Sequence, residues 1–142
     1  MFKSWWKVAE EMKKLIALIL MLMFTNFCFA QQAYICVADS SAGFKYNSNS
    51  RIWEQTGFRV SEDKKLLKKV GQGWEWSSFG STYGEKCGEI NSYGLLNCDI
   101  LFGTLRFSKN TLRYIETYTV GYIDGDKGGN TPAITIGKCS PL

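Results

Sequence analysis

The chain contains no histidine. Ser-His-Asp and Cys-His catalysis both need an imidazole base, so neither is available. Most zinc hydrolases also take ligands from histidine, and no Cys-x-x-Cys pair offers sulfur instead. No nucleotide or cofactor signature is present, and no bound cofactor is expected. An excess of one charge is missing too. After Ala30 there are 13 Lys and Arg against 11 Asp and Glu, a net charge of +2, too small to argue for nucleic acid. The one dense basic stretch, Lys64-Lys65-Leu66-Leu67-Lys68-Lys69, follows Glu62 and Asp63 and reads as a solvated face. A long stretch of helical period is also absent after Ala30.

What is present first is a leader pattern. Lys13 and Lys14 precede an unbroken apolar run from Leu15 to Phe24, and Cys28-Phe29-Ala30 sets small residues where a signal peptidase reads. The segment is short for a spanning helix, which wants about 20 mostly apolar residues. Residues 1–30 are therefore expected to be a cleavable signal helix, with Met12 as the true start because Glu10 and Glu11 do not suit a basic region. The membrane would be met only through the uncleaved leader, and the product would be periplasmic or secreted. Residues 31–142 then form a single domain.

Four cysteines remain after the leader: Cys36, Cys87, Cys98 and Cys139. An even count in a small exported domain reads as two disulfides, although four cysteines allow three connectivities. The favoured pairing is Cys36–Cys139, tying the first strand to the last, with Cys87–Cys98 closing a short Gly/Ser/Asn-rich loop.

The hydrophobic pattern beyond Ala30 has period 2, punctuated by turn residues. Strands are expected at 34–37, 43–46, 51–54, 74–76, across 95–107 with a break at Gly103, across 112–123, and at 133–136. The stretch 61–70 divides between strand and a short helix capped by Ser61, with strand preferred. Two segments, GFKYNSNSRIWEQT at 43–56 and TLRFSKNTLRYIET at 104–117, align without gaps. Both read as strand, four polar turn residues and strand, which would place Phe44 opposite Trp53 and Leu105 opposite Tyr114. Seven or eight short antiparallel strands predict an all-β fold: a small up-and-down β-barrel, with a β-sandwich as the alternative. Alternation along the long strand would put Tyr114, Glu116, Tyr118, Val120 and Tyr122 on one face, with Glu116 at a solvated rim.

Two motifs invite chemistry. Glu75, Glu85, Glu89, Asp99 and Glu116 could supply a carboxylate pair, though nothing in their spacing brings two together. Asp124-Gly125-Asp126-Lys127-Gly128-Gly129-Asn130 resembles a calcium loop, but Lys127 interrupts it and Thr135 stands where a closing Glu belongs. A plain Gly/Asp/Asn turn is the preferred reading.

The segments CVADSSAGFKYNSNSRIWEQTGF, the Cys87 to Cys98 stretch and the ending TPAITIGKC resemble an uncharacterised group of small secreted bacterial and phage-associated proteins. That resemblance covers nearly all of the chain beyond the leader and implies no activity. A weaker likeness is to periplasmic C-type lysozyme inhibitors, which also carry Tyr-x-Cys after the leader, as Tyr34-Ile35-Cys36 does. It implies a small disulfide-tied barrel. Their inhibitory Ser-Gly-x-x-Tyr loop is not matched by Ser41-Ala42-Gly43-Phe44.

With these exclusions, the expected activity is non-catalytic binding of a ligand or protein in the cell envelope through an aromatic-rich face. The face would be drawn from the exposed members of Trp53, Trp74, Trp76, Tyr114, Tyr118 and Tyr122. An enzyme inhibitor of the lysozyme-inhibitor type is the alternative, and a carboxylate-based hydrolase ranks below it.

Overall fold

The structure is a computed structural model that describes Met12 and residues 32–126 and 129–142. The expected leader lies outside the described residues apart from Met12. Nine strands follow: β1 (Ala33–Asn47), β2 (Ile52–Phe58), β3 (Lys64–Val70), β4 (Gly73–Ser78), β5 (Glu85–Cys87), β6 (Leu95–Ile100), β7 (Gly103–Ser108), β8 (Arg113–Tyr118) and β9 (Ala133–Pro141). All pair antiparallel in one sheet of order β5-β4-β3-β1-β9-β8-β7-β6, with β2 added on β1. The sheet curls into a nearly closed barrel.

The topology is up-and-down once β2 and β3 are read together. Both run antiparallel to β1, β2 along Ser41–Asn47 and β3 along Ala33–Val37. They are one strand interrupted at residues 59–63. A bulge in β1 between Ala38 and Ser40 shifts its pairing with β9 and switches its inward set from even to odd positions. Tyr34, Cys36 and Ala38 point inward before it, and buried Ser41 does so after it. The first and last strands are neighbours, and Cys36 sits directly opposite Cys139, to which it is bonded. Closure of the barrel falls elsewhere. No hydrogen-bonded ladder joins β5 to β6 among the described residues. The Cys87–Cys98 disulfide spans that seam, with Cα atoms 5.0 Å apart.

Both aligned hairpins form, and both correct the expected register by two residues. Phe44 lies opposite Gln55 and Tyr46 opposite Trp53, while Leu105 faces Glu116 and Phe107 faces Tyr114. Each loop has four residues, but it starts one residue later than the polar run suggests. Arg51 and Leu112, the last loop residues, take left-handed φ of 58° and 57°. Their amides donate to the carbonyls of Asn47 and Ser108, both at 2.8 Å. The Asn47 side chain holds the first loop by accepting from the amides of Asn49 and Ser50.

Inward residues from every wall make the core: Tyr34, Cys36, Leu67, Trp74, Trp76, Leu96, Leu105, Phe107 and Tyr114 among them. Tyr114 lies opposite Gly137, where a Cβ would come within 2.5 Å of its ring. The glycine leaves the room that the ring occupies. The stretch 61–70 is a turn followed by strand. Its lysines are not all on a solvated face, because alternation turns Lys65, Leu67 and Lys69 inward. Lys69 rests 5.7 Å from the Trp74 ring, and the Lys65 side chain is 18% exposed. Lys68 points outward to Glu75 at 2.7 Å.

Candidate functional site

The six aromatic candidates separate into two groups. Trp74, Trp76 and Tyr114 are 3–4% exposed and belong to the core, so they form no binding face. Trp74 packs on Tyr34 with centroids 5.7 Å apart, and Trp76 on Tyr114 at 5.2 Å. Trp53, Tyr118 and Tyr122 reach the outside. Trp53 lies edge-on between Tyr46, at 5.6 Å, and Tyr122, at 5.7 Å, and Tyr122 is 64% exposed. Half-buried Tyr118 donates its hydroxyl to Asn130 at 2.6 Å and meets Phe102 edge-on. The expected common face of Tyr114, Glu116, Tyr118, Val120 and Tyr122 does not form. β8 ends at Tyr118, and the chain then turns Tyr122 out towards Trp53 while Tyr114 stays inside.

Register shows what Trp53 and Tyr122 adjoin. Residues opposite each other in an antiparallel ladder share a face, and alternate residues repeat it. Ile115 pairs with Ile136, Thr117 with Ile134, Ile134 with Ala42, Phe44 with Gln55, and Tyr46 with Trp53. These form one outward strip across β8, β9, β1 and β2. Phe44 and Ile134 are 51% and 52% exposed along it. Beside them a groove of about 430 Å³ is walled by Ala42, Phe44, Thr117, Tyr118, Pro132 and Ile134. Phe44, Ile134 and Ile136 were not among the sequence candidates. Their signal was the alternation Ala42-x-Phe44-x-Tyr46 and Ile134-x-Ile136, visible in the chain but silent about which face is outside.

The barrel mouth near this strip is polar. A cavity of about 190 Å³ is lined by Lys65, Trp76, Ser78, Glu85, Ile100 and Glu116 among others. Of the five acids considered for a pair, Glu85 and Glu116 both line this cavity. Glu75 faces Lys68 instead, and Glu89 lines a separate polar cavity at the opposite end. Glu116 is not at a solvated rim. It points inward and accepts the Trp76 indole N–H at 3.4 Å. Burial raises the Glu116 carboxyl above its ordinary range; Lys65 and the Trp76 hydrogen bond oppose this, and Asp63 adds to it. Burial likewise pushes the Tyr114 phenol up, and its buried hydroxyl has no hydrogen-bond partner among the described residues.

This carboxyl makes stability depend on pH. Its folded value lies above its unfolded value, so between the two the folded state binds more protons. Stability is then expected to fall as pH rises through that window. Glu116→Gln should remove that decline and leave the domain more stable than the parent at neutral pH, measured by urea unfolding across a pH series. A variant that is less stable than the parent at every pH would contradict this account of Glu116.

In the Asp124–Asn130 loop the described acids serve their own turn. Asp126 accepts from the amides of Gly129 and Asn130 and from the Asn130 side chain at 2.7 Å, and Asp124 accepts from the Gly121 amide. Among the described residues no group of three or more His, Cys, Asp or Glu is placed to hold a metal ion.

No family model, no curated protein and no solved structure matches the chain. The molecule's own geometry shows a small all-β barrel tied by two disulfides, and disulfides indicate an oxidising, extracytoplasmic environment.

Proposed function

We propose that this domain is a non-catalytic binding module, periplasmic or secreted, that holds an apolar segment of a cell-envelope protein against its outer wall. The observation that carries the reading is the continuous apolar strip from Ile115 and Ile136 through Ile134, Ala42 and Phe44 to Tyr46, Trp53 and Tyr122. Contiguous exposed apolar surface on a small soluble domain commonly marks an interaction site. The groove beside it falls in the size range of ligand clefts. Tyr46, Trp53 and Tyr122 hold one another edge-on, so they offer ring surface with little ordering left to lose on binding.

Selection of random twelve-residue peptides on the immobilised domain tests this. Binders rich in aromatic and aliphatic residues are expected, with affinity at least about tenfold weaker on Phe44→Ser or Ile134→Asp, because each substitution removes apolar contact or buries a charge. Both positions are exposed, so stability should change by no more than about 0.5 kcal/mol. Lys86→Ser on β5, exposed and away from the strip, should bind as the parent does. Binders that ignore both strip substitutions would overturn the reading. Slowed lysis of bacterial cells by lysozyme, undiminished by the same substitutions, would favour the inhibitor alternative instead.

A further inference from the structure

One long strand edge has no strand beside it. β2 pairs with β1 and, among the described residues, lies next to no other strand. Which of its main-chain groups face outward follows from β1. The Phe44 amide donates to the Pro132 carbonyl, on the β9 side, at 3.0 Å. A strand residue sends its N–H and C=O to the same side, and its neighbours send theirs to the other. Gly43, Lys45 and Asn47 therefore face β2, where they meet Thr56, Glu54 and Ile52. The N–H and C=O groups of Trp53, Gln55 and Gly57 then point away from β1. None has a main-chain partner among the described residues; the Gly57 carbonyl accepts a long hydrogen bond from the Thr56 hydroxyl, at 3.4 Å. Exposed edges are usually blunted by a lysine, a proline, a bulge or sheer shortness. β2 has seven residues, no Lys or Pro, and an unbroken register with β1. The ends of the sheet show the contrast, because β5 is three residues long and Cys87–Cys98 ties it to β6.

The residues along this edge complement themselves. Two antiparallel copies related by a two-fold axis through Gln55 set Gln55 opposite Gln55 and Trp53 opposite Gly57. Every outward residue then exchanges both of its bonds, three pairs of two, or six in all. Centring the axis on Trp53 or Gly57 makes fewer. In the pairs between, Ile52 meets Phe58 and Glu54 meets Thr56, so no like charges face each other within the ladder. A Cβ on Gly57 would meet only the Ser41 carbonyl, at 3.9 Å, so there is room for the opposing Trp53 ring. Ile52 is 56% exposed in the single chain. The Glu54 carboxylate is held within its own hairpin by Asn47 and Ser50, at 2.8 and 3.0 Å.

We propose that β2 pairs with β2 of a second copy of this chain, joining two barrels edge to edge in a symmetric dimer. The axis stands across the sheet, so the outer faces stay on one side and the two apolar strips become one wall. One seven-residue edge is small for an interface, and the dimer belongs to the dissociating class that buries less than about 1,200 Å². The pairing does not depend on the strip having a partner.

Sedimentation of the purified protein, with no peptide added, tests this from about 5 μM to about 500 μM, the range of a weak complex. The average mass is expected to rise from one chain towards two. Gln55→Lys and Gln55→Glu each put like charges on the axis, and each should weaken association at least about tenfold. An equimolar mixture of the two should restore it, because lysine then faces glutamate. Ile134→Asp, which belongs to peptide binding and lies off this edge, should associate as the parent does, so a failed dimer and a failed strip are told apart. In the parent, hydrogen exchange at the Trp53, Gln55 and Gly57 amides should slow as the mass rises. The Glu54 and Thr56 amides face β1 and should keep their rates. A protein that stays monomeric throughout overturns the proposal and leaves the edge to a strand of another protein. Association that ignores both Gln55 variants, or that the mixture does not restore, overturns it as well. If either variant loses its fold, exchange in the parent decides: slowing confined to the three outward amides supports the pairing, and its absence refutes it.

Discussion

Replacing Cys36 and Cys139 together by alanine is expected to destabilise the domain by nearly 5 kcal/mol. The bridge joins residues 103 apart, and on the chain-entropy model a loop of that size contributes about 4.7 kcal/mol. Against a typical total of about 5–15 kcal/mol, that loss leaves a marginal fold. For a domain of this size the melting temperature should drop by roughly 20 °C. Both sulfurs are buried and lie directly across the β1–β9 ladder, so the backbone pairing around them can persist while the denatured chain gains freedom. The denaturant m-value should therefore rise in the double variant as the unfolded state expands. Thermal and urea unfolding beside the parent would show both effects. A shift of only a few degrees, with m unchanged, would mean that the bridge does not constrain the unfolded chain as described.

The second bridge should act differently. Cys87–Cys98 closes a loop of 11 residues' separation, for which the same model gives about 3 kcal/mol. It also stands where a ladder is missing, because β5 pairs with β4 on one side and, among the described residues, has no hydrogen-bonded ladder on the other, where the disulfide joins it to β6. Cys87→Ala with Cys98→Ala should therefore open the barrel along the β5–β6 seam before the rest of the sheet yields. Hydrogen exchange should quicken at Glu85–Cys87 and along β6, while amides of β1, β8 and β9 keep their order of protection. Uniformly faster exchange across all strands would show that the seam is no weaker than the paired edges.

How much of this was legible in the chain depends on what alternation can say. Period 2 located the strands and paired residues by parity, and Trp74-Glu75-Trp76 did prove to be in, out, in. Parity does not state which face is inside. Lys64-Lys65-Leu66-Leu67-Lys68-Lys69 carries adjacent leucines that must point opposite ways, so only the closed sheet decides that Leu67 is buried and Lys65 faces inward. The hairpin registers were off by two because Arg51 and Leu112 adopt left-handed φ without being glycine, which leaves no turn signal in the sequence. β5 has no signature in the sequence, because three residues carry no period. Tryptophan and tyrosine suit a binding face, yet a barrel this small needs large rings to fill it, and Trp74, Trp76 and Tyr114 do that. Of the rings left outside, Trp53 sits on a hairpin that runs beyond the β1–β9 pairing, while Tyr118 ends β8 and Tyr122 lies in the turn after it.

The central claim is that the outer wall of β8, β9, β1 and β2 meets a partner. Site-specific photo-crosslinking in the native cell tests it most directly. A benzophenone side chain would be placed at Phe44 in one variant and at Lys86, exposed on β5, in another. The account predicts one discrete cross-linked species from position 44, lost when Ile134→Asp is added, and none from position 86. Equal adducts from both positions, or none from position 44 in the correctly folded protein, would contradict it.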